Sequence, residues 1–502
     1  MYNPLVVGGG LMAAAALSLR WQLAVDAPLL AYVALAMDRW GLVPYRDVYD
    51  FNTPGAYLTN LAIGKVFGFS ELGFRLGDLS CLVALGASTA LALRRFGDRP
   101  AFAAVLLFGF FYLGFGPVMS LQREYLVVVA IAAAVAAALS QWRLGHRALV
   151  TGLLVGVAAT IKPQAAIVLP VFLMWLSASP GSSRIGKLCT AMLTLAGFAM
   201  PVVSSYWWLR SIGAADAFAD IAMNYWPLYA EITGARPHTI VTGDELWVYR
   251  ANRFLFSRDL RHLIVVPAAV GAWLAWTQVS SQRRPLILLI GVAIALELYP
   301  LAAGKYWGYH WLPSFYGASL LAALCFVRIA KPLHVPRDLV VAMVIVMLTA
   351  HAPGIQTYWR QTRLALSNSR PGIAAQIAAE LRARLNPEDT VQPLDWTAGA
   401  VHALFLTQTR IATPFLYDFY FYHHVSTPYI QQLRAKLIDE LHEARPAFVV
   451  TADQQRRFEG RDTTYQFDEL SDFLRQDYHA VVANDRFVIY ERNQRATKPA
   501  SD

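Results

Sequence analysis

Apolar residues in this chain come in runs rather than in stripes. Eleven stretches are almost without charge: 5–19, 79–93, 101–116, 125–139, 148–160, 165–178, 188–209, 263–276, 285–303, 311–327 and 339–350. A helix that crosses a bilayer needs about 20 mainly apolar residues. Several runs fall short of that and need their flanks to span. Two further segments are apolar at helical spacing only, "APLLAYVALAMDRW" (27–40) and "GAYLTNLAIGKVFGF" (55–69). Both are expected as amphipathic helices lying on a membrane surface. Between them sits "GLVPYRDVYDFNTPG" (41–55), whose Gly and Pro residues fix turns.

The pattern changes near residue 371. Beyond it the long apolar runs stop and short strands alternate with helices. "DTVQPLDW", "TRIATPFLY" and "PAFVVTA" read as strands, and "HAVVANDRFVIYER" as a hairpin turning at Asn484-Asp485. "PGIAAQIAAELRARL", "AGAVHALFL", "YIQQLRAKLIDELHEA" and "FDELSDFLRQ" read as helices. The expected fold is therefore a mainly α-helical polytopic membrane protein of about eleven spans with a small C-terminal α/β sandwich. The expected divisions are 1–352 for the membrane module, with long loops at 24–76 and 210–261, a linker at 353–370, an α/β domain at 371–495 and a disordered tail at 496–502.

Composition agrees with this. Of 502 residues, 56% are hydrophobic and 15% charged, against about 25% charged in soluble domains. Residues 371–502 carry 14 Lys/Arg against 18 Asp/Glu, whereas the first 370 carry 29 against 16. The first run lacks a basic leader and reads as a retained helix rather than a cleaved signal. Basic residues mark cytoplasmic loops. The loops at 94–99, 143–147, 184–187, 283–284 and 328–338 hold twelve Lys/Arg and only two acids, Asp98 and Asp338. That places the N-terminus inside and puts residues 24–76, 210–261 and everything past about 352 outside, which in a bacterium means the periplasm. Cys81, Cys189 and Cys325 each fall within a span, with no disulfide frame and no zinc spacing. Nothing resembles a P-loop or a GxGxxG turn, so neither a nucleotide nor a nucleic acid is expected as partner.

The unusual residues collect on the exterior side: Asp26, Asp47, Asp50, Arg75, Arg123, Glu124, Lys162, Lys305 and His310. Charge close to hydrocarbon is costly and marks function. Interfacial snorkelling is the alternative for any single Arg or Lys. Glu297, inside the ninth run, needs a partner, and Lys305 is the expected one.

An Asp just past the first helix, then "GLVPYRD", then a Pro turn into an interfacial helix form an ordered pattern. With "RLGDL" (75–79), "QREYLVV" (122–128), "KP" (162–163), "KYWGYHWLP" (305–313) and the ending "FVIYER", the chain resembles the GT-C superfamily of membrane glycosyltransferases. It is most similar to the branch of protein O-mannosyltransferases and lipid A aminoarabinose transferases. The resemblance implies a polyprenyl-phosphate sugar as donor and a glycan, lipid or protein hydroxyl as acceptor. It implies inversion at the anomeric carbon and an acid of the first exterior loop as base. That acid maps onto Asp26 or Asp47, and both assignments stay open. Two positions depart from the family pattern: Ala27 stands for a Glu and Gly55 for a second Pro.

The residues agree chemically with this resemblance. A carboxylate can take the proton of an attacking sugar hydroxyl. Arg75, Arg123, Lys162 and Lys305 can stabilise a phosphate leaving group. Asp50, Glu124, Tyr306 and His310 are candidates for the sugar or lipid pocket, although the aromatic residues fit an interfacial belt equally. No metal ligands are assigned, and a divalent ion stays open as cofactor. A transporter or flippase of lipid-linked glycan is the competing class. It would favour internal repeats and polar groups at the midplane, and the sequence has neither.

Overall fold

The computed structural model describes residues 4–181, 183–328, 337–367, 372–452 and 457–494. The expected tail at 496–502, Pro371 as a helix start, and Lys331 in its basic loop lie outside these residues.

Every one of the eleven apolar runs lies on helical backbone. Among the described residues, six helical segments are long and apolar enough to cross a membrane: Glu71–Phe96, Leu144–Ile161, Arg184–Ser211, Leu260–Gln278, Ser280–Ala303 and Val341–Ser367. The other five runs form shorter helices, among them Arg123–Leu139, which is buried along nearly its whole length. A helix enclosed by other helices needs no lipid-facing stripe, so its uniform apolarity carries no helical period. Large apolar side chains on the outer helices stay uncovered, including Val83, Leu91, Ile185, Leu188, Trp207 and Ile345, as a lipid-facing belt requires. The helices Leu144–Ile161 and Arg184–Ser211 approach so closely that a Cβ on Gly152 would stand 2.0 Å from the Thr194 carbonyl oxygen.

The C-terminal unit is a five-stranded sheet flanked by helices. Its strands are β1 (Thr390–Leu394), β2 (Arg410–Ile411), β3 (Phe448–Ala452), β4 (Tyr478–Ala483) and β5 (Phe487–Arg492), in the order β2-β1-β3-β5-β4. β1 pairs in parallel with both β2 and β3, and the hairpin of β4 and β5 joins antiparallel through β5. The parallel connections are helical, as crossovers must be.

One expectation is corrected. Helix Ala27–Trp40 does not lie with one face in lipid, since its first ten residues, Ala27 to Ala36, are all buried. It is clamped between helix Pro54–Phe67 and helix Ala400–Thr407 of the C-terminal unit. Its Tyr32 hydroxyl donates to the Thr409 carbonyl at 3.0 Å and accepts the Ile411 N–H at 2.7 Å. The segment's polar end at Asp38 and Arg39 produces the amphipathic signal, while protein rather than lipid covers the rest.

Candidate active site

Asp26 occupies the position before helix Ala27–Trp40 where an Asp usually caps the first turn. Its side chain makes no such cap. Instead its Oδ2 accepts a hydrogen bond from Arg123 Nη2 at 2.9 Å. Burial raises the Asp26 carboxyl above its ordinary range, and Arg123 pulls it back down.

The neighbouring backbone is unusual. Val25 has φ +57°, Leu121 +53° and Tyr306 +55°. A β-branched or bulky residue in this left-handed region is an outlier costing of order 1–3 kcal/mol, and such strain persists where the surrounding structure imposes it. Each of the three stands within two positions of Asp26, Arg123 or Lys305. The loop before Asn52 has a fourth, Tyr45 at +71°.

Arg123 and Glu124 begin the buried helix Arg123–Leu139. Glu124, wholly buried, meets Lys162 Nζ at 3.0 Å and His310 Nε2 at 3.4 Å. Lys162 ends helix Leu144–Ile161 just ahead of Pro163. Burial lowers His310 to about 3, so its ring is neutral at ordinary pH. Lys305 donates to the Tyr229 carbonyl at 2.5 Å and to that of Ile232, with its Nζ 4.3 Å from the Tyr229 ring centroid. Burial pulls the Lys305 ammonium well below its usual pKa, and Arg250 and Lys162 push it the same way.

These groups surround a cavity of about 240 Å³. Arg123, Lys162, Arg250 and Lys305 line it, and among the described residues no Asp or Glu does. Asn52, Thr53, Gln164, Trp226, Tyr229, Trp307 and His310 supply hydrogen-bonding and aromatic surface. Thr53 is held by a 2.6 Å bond from its hydroxyl to the Ile161 carbonyl. Here the Gly at position 55 is explained. A Cβ there would lie 2.4 Å from Thr160 Oγ1 and under 3 Å from the Thr160 backbone. Only a bare Cα lets the 52–55 turn press against the chain end that carries Lys162.

The cavity thus gathers Arg123, Lys162, Lys305 and His310, with Asp26 and Glu124 directly behind. Other sequence-chosen residues are placed elsewhere. Asp47 is partly exposed, pairs with Arg46 at 2.8 Å and accepts the Val43 N–H at 2.9 Å. Arg46 holds its carboxyl below the usual value. Arg75 is sealed inside the helical bundle with Asp78 at 2.6 Å, Ser18 at 2.7 Å, Ser120 and the Trp21 ring. Neither residue lines the cavity. Asp50 is fully buried and accepts from the Phe51 N–H at 2.8 Å, Asn52 at 2.6 Å, Tyr57 at 2.5 Å and Tyr417 at 2.7 Å. It braces the turn rather than facing the cavity. Tyr306 donates to the Arg250 carbonyl at 2.6 Å and so backs the helix that bears Arg250. Glu297 pairs with Arg258 at 2.7 Å instead of Lys305. Arg258 belongs to the 210–261 loop, so sequence distance hid it.

Arg250, on helix Gly243–Phe256, was not anticipated. It is one of several Arg residues in a polar loop, and only the fold distinguishes it. Trp226 and Tyr229 lie on the aromatic stretch of that loop; Trp226 Nε1 donates to the Phe51 carbonyl at 3.1 Å. At the far side of the short helix Trp226–Glu231, which carries both Trp226 and Tyr229, His424 Nε2 meets Glu231 Oε2 at 3.0 Å. His423 Nδ1 and His424 Nδ1 are 2.9 Å apart, and Tyr225 OH stands 3.2 Å from His423 Nε2.

A divalent cation does not fit this arrangement. The two nearby carboxylates are engaged by Arg123 and Lys162, and among the described residues no group of three His, Cys, Asp or Glu side chains converges. Cationic donors cannot serve as metal ligands.

The chain is thus a multi-pass helical module carrying a small α/β unit, with the cation-lined cavity inside the helical module. Residues 53–208 match the family described as dolichyl-phosphate-mannose-protein mannosyltransferase. The chain is similar in structure to ArnT from Cupriavidus metallidurans. With the apo form it shares 15% identity over 97% of both chains at a TM-score of 0.57. With the form bound to undecaprenyl phosphate the score is 0.58 at the same identity and coverage. No curated protein matches the chain in sequence.

Proposed function

We propose that this protein is a glycosyltransferase that moves a sugar from a polyprenyl-phosphate donor to an acceptor hydroxyl, with Asp26 as base. The observation that carries this reading is a cavity with four cations and no acid in its wall, backed by a carboxylate bonded to one of those cations. A phosphodiester brings the negative charge that such a wall lacks. The match to a dolichyl-phosphate-mannose family and the likeness to a protein solved with undecaprenyl phosphate support the same donor class.

In this mechanism the acceptor oxygen attacks the anomeric carbon and its proton passes to Asp26. The bond from that carbon to the phosphate oxygen breaks, and its electron pair leaves on the phosphate. Attack opposite the leaving group inverts the centre. Arg123, Lys162, Lys305 and Arg250 take up the charge released. A bound phosphate also gives the buried Lys305 the counter-charge that its surroundings lack. Burial makes Asp26 a better base than an ordinary Asp, and Arg123 orients it. Of the two candidate bases, Asp26 is favoured because it bonds Arg123 of the cavity wall from behind, whereas Asp47 pairs with Arg46. By the distribution of basic loops, the site faces the periplasm from a bacterial inner membrane, with residues 371–495 outside.

Asp26→Asn is expected to lower transfer by about 10²–10⁴-fold while undecaprenyl phosphate still binds the purified protein. Lys162→Ala with Lys305→Ala is expected to lose that binding. An Asp26→Asn protein with full transfer activity would refute the assignment of the base.

A further inference from the structure

A second cavity, of about 300 Å³, lies on the other side of the chain that carries Asp26. Ala24, Val25, Pro28 and Leu29 form one wall; the opposite wall belongs to the C-terminal unit, from Asp395 to His402 with Arg486. Asp26 therefore sits in a partition. Its carboxylate reaches Arg123 in the cationic cavity, and its sequence neighbours face the second one.

Asp395 is the notable group in that wall. It is fully buried. One oxygen, Oδ2, accepts the Gly399 N–H at 2.7 Å and the Ala400 N–H at 2.9 Å. The other, Oδ1, has no partner among the described residues. An unsatisfied buried carboxylate oxygen is costly and calls for an explanation. Gln22, Thr397 and Arg486 add side chains that make no hydrogen bond among the described residues. Leu23, Pro28, Leu29, Ile373 and Val401 supply an apolar floor. Thr397 holds φ +58°, the same left-handed backbone found around Asp26.

We infer that the second cavity binds a sugar of the acceptor and presents its hydroxyl to the Asp26 loop. The inference rests on the transferase reading and names the acceptor class for it. A sugar matches the wall: hydroxyls donate to Asp395 Oδ1 and accept from Gln22, Thr397 and Arg486, while the C–H face rests on the aliphatic floor. The volume is at the lower end of the roughly 300–1,000 Å³ range of small-molecule sites. A phosphate group would meet the Asp395 carboxylate and is disfavoured here. The two cavities thus divide the work. The cationic one holds the leaving phosphate and the second, lined by Asp395 and Arg486, holds the attacking hydroxyl.

The test uses the full-length protein in lipid nanodiscs, with methyl glycosides of glucose, galactose, mannose and arabinose as probes, read by saturation-transfer NMR. At least one glycoside is expected to give a signal in the wild type. That signal is expected to vanish in Ala398→Trp, which fills the cavity, and to weaken about tenfold in Asp395→Asn, which keeps the oxygen that caps the helix but replaces the free one with a donor. Undecaprenyl phosphate binding, measured in parallel, is expected to be equal in all three proteins. No glycoside signal in the wild type, or a signal that survives both substitutions, overturns the inference. Loss of undecaprenyl phosphate binding in the wild type, with the glycoside pattern intact, instead overturns the donor and leaves the sugar site standing.

Discussion

At the residue scale the site is defined by conformations that its sequence resists. Val25, Leu121 and Tyr306 adopt left-handed backbone beside Asp26, Arg123 and Lys305. Each such residue costs of order 1–3 kcal/mol, which surrounding packing must offset. For Val25 the consequence is measurable. Glycine takes this conformation freely, so Val25→Gly removes strain while deleting a partly buried side chain. The variant is expected to unfold thermally at or above the wild-type temperature and yet transfer sugar more slowly, because Asp26 is no longer held against Arg123. A variant both less stable and fully active would show that the backbone at position 25 is not serving the site. The same scale explains why Asp47 and Arg75 stood out in the sequence. Each is a charge near a membrane boundary, but each has a private partner, Arg46 for the first and Asp78 for the second. A partner one or three residues away on the chain is readable in hindsight, whereas Asp26 and Arg123 meet from 97 residues apart.

At the scale of elements, the short helix Trp226–Glu231 forms one wall of the cationic cavity. It contributes Trp226 and Tyr229 at one end and is fastened at the other by Glu231. With both imidazoles neutral, the fastening has one consistent hydrogen arrangement. Glu231 accepts from His424 Nε2, so a neutral His424 offers a bare Nδ1, which must accept from His423 Nδ1. His423 Nε2 is then the acceptor for the Tyr225 hydroxyl. Burial holds His423 well below its ordinary pKa, which keeps this neutral chain intact. Glu231→Ala removes the terminal acceptor and is expected to weaken undecaprenyl phosphate binding about tenfold, the effect of losing roughly one hydrogen bond to a charged group. Unchanged affinity would mean the helix is positioned by its aromatic contacts alone. Much at this scale was legible beforehand. The eleven runs follow from unbroken apolarity, and the order of strands and helices past residue 371, with the hairpin at its end, from periods of 3.6 and 2 and from turn residues. The Ala27–Trp40 helix was misjudged because a half-apolar helix looks the same whether protein or lipid covers it. Arg250 and the Glu231–His424 contact were not legible, since neither the loop's conformation nor its partner leaves a periodic trace.

At the scale of the whole molecule, the C-terminal sheet and the membrane helices share one buried seam, and that seam contains a titrating group. Burial lifts the Asp395 carboxyl from 3.8 to about 6, with Asp418 adding to the rise and the Ala400 and Gly399 N–H groups and Arg457 opposing it. The folded protein therefore holds this proton more tightly than the unfolded chain does. Stability from this group is fully present below the unfolded value near 4, and is lost as pH rises through about 6. A shift of this size corresponds to about 3 kcal/mol. Asn needs no proton to remain neutral. Asp395→Asn is thus expected to match the wild type near pH 4 and to exceed it by up to about 3 kcal/mol at pH 7. The check is chemical denaturation of both proteins across that range. A constant difference between them at all pH values would show that Asp395 does not titrate between the two states.

The seam is stitched mainly through the loop at 41–55 and the helix before it. Tyr49 N–H bonds to the Pro414 carbonyl at 2.7 Å, Tyr417 to Asp50, Tyr420 to the Tyr49 carbonyl at 3.1 Å, and Tyr32 to the edge of β2. The two halves therefore pack as one unit rather than as interchangeable modules. A chimera that grafts a relative's C-terminal half onto these helices should assemble only if residues 27–55 travel with it.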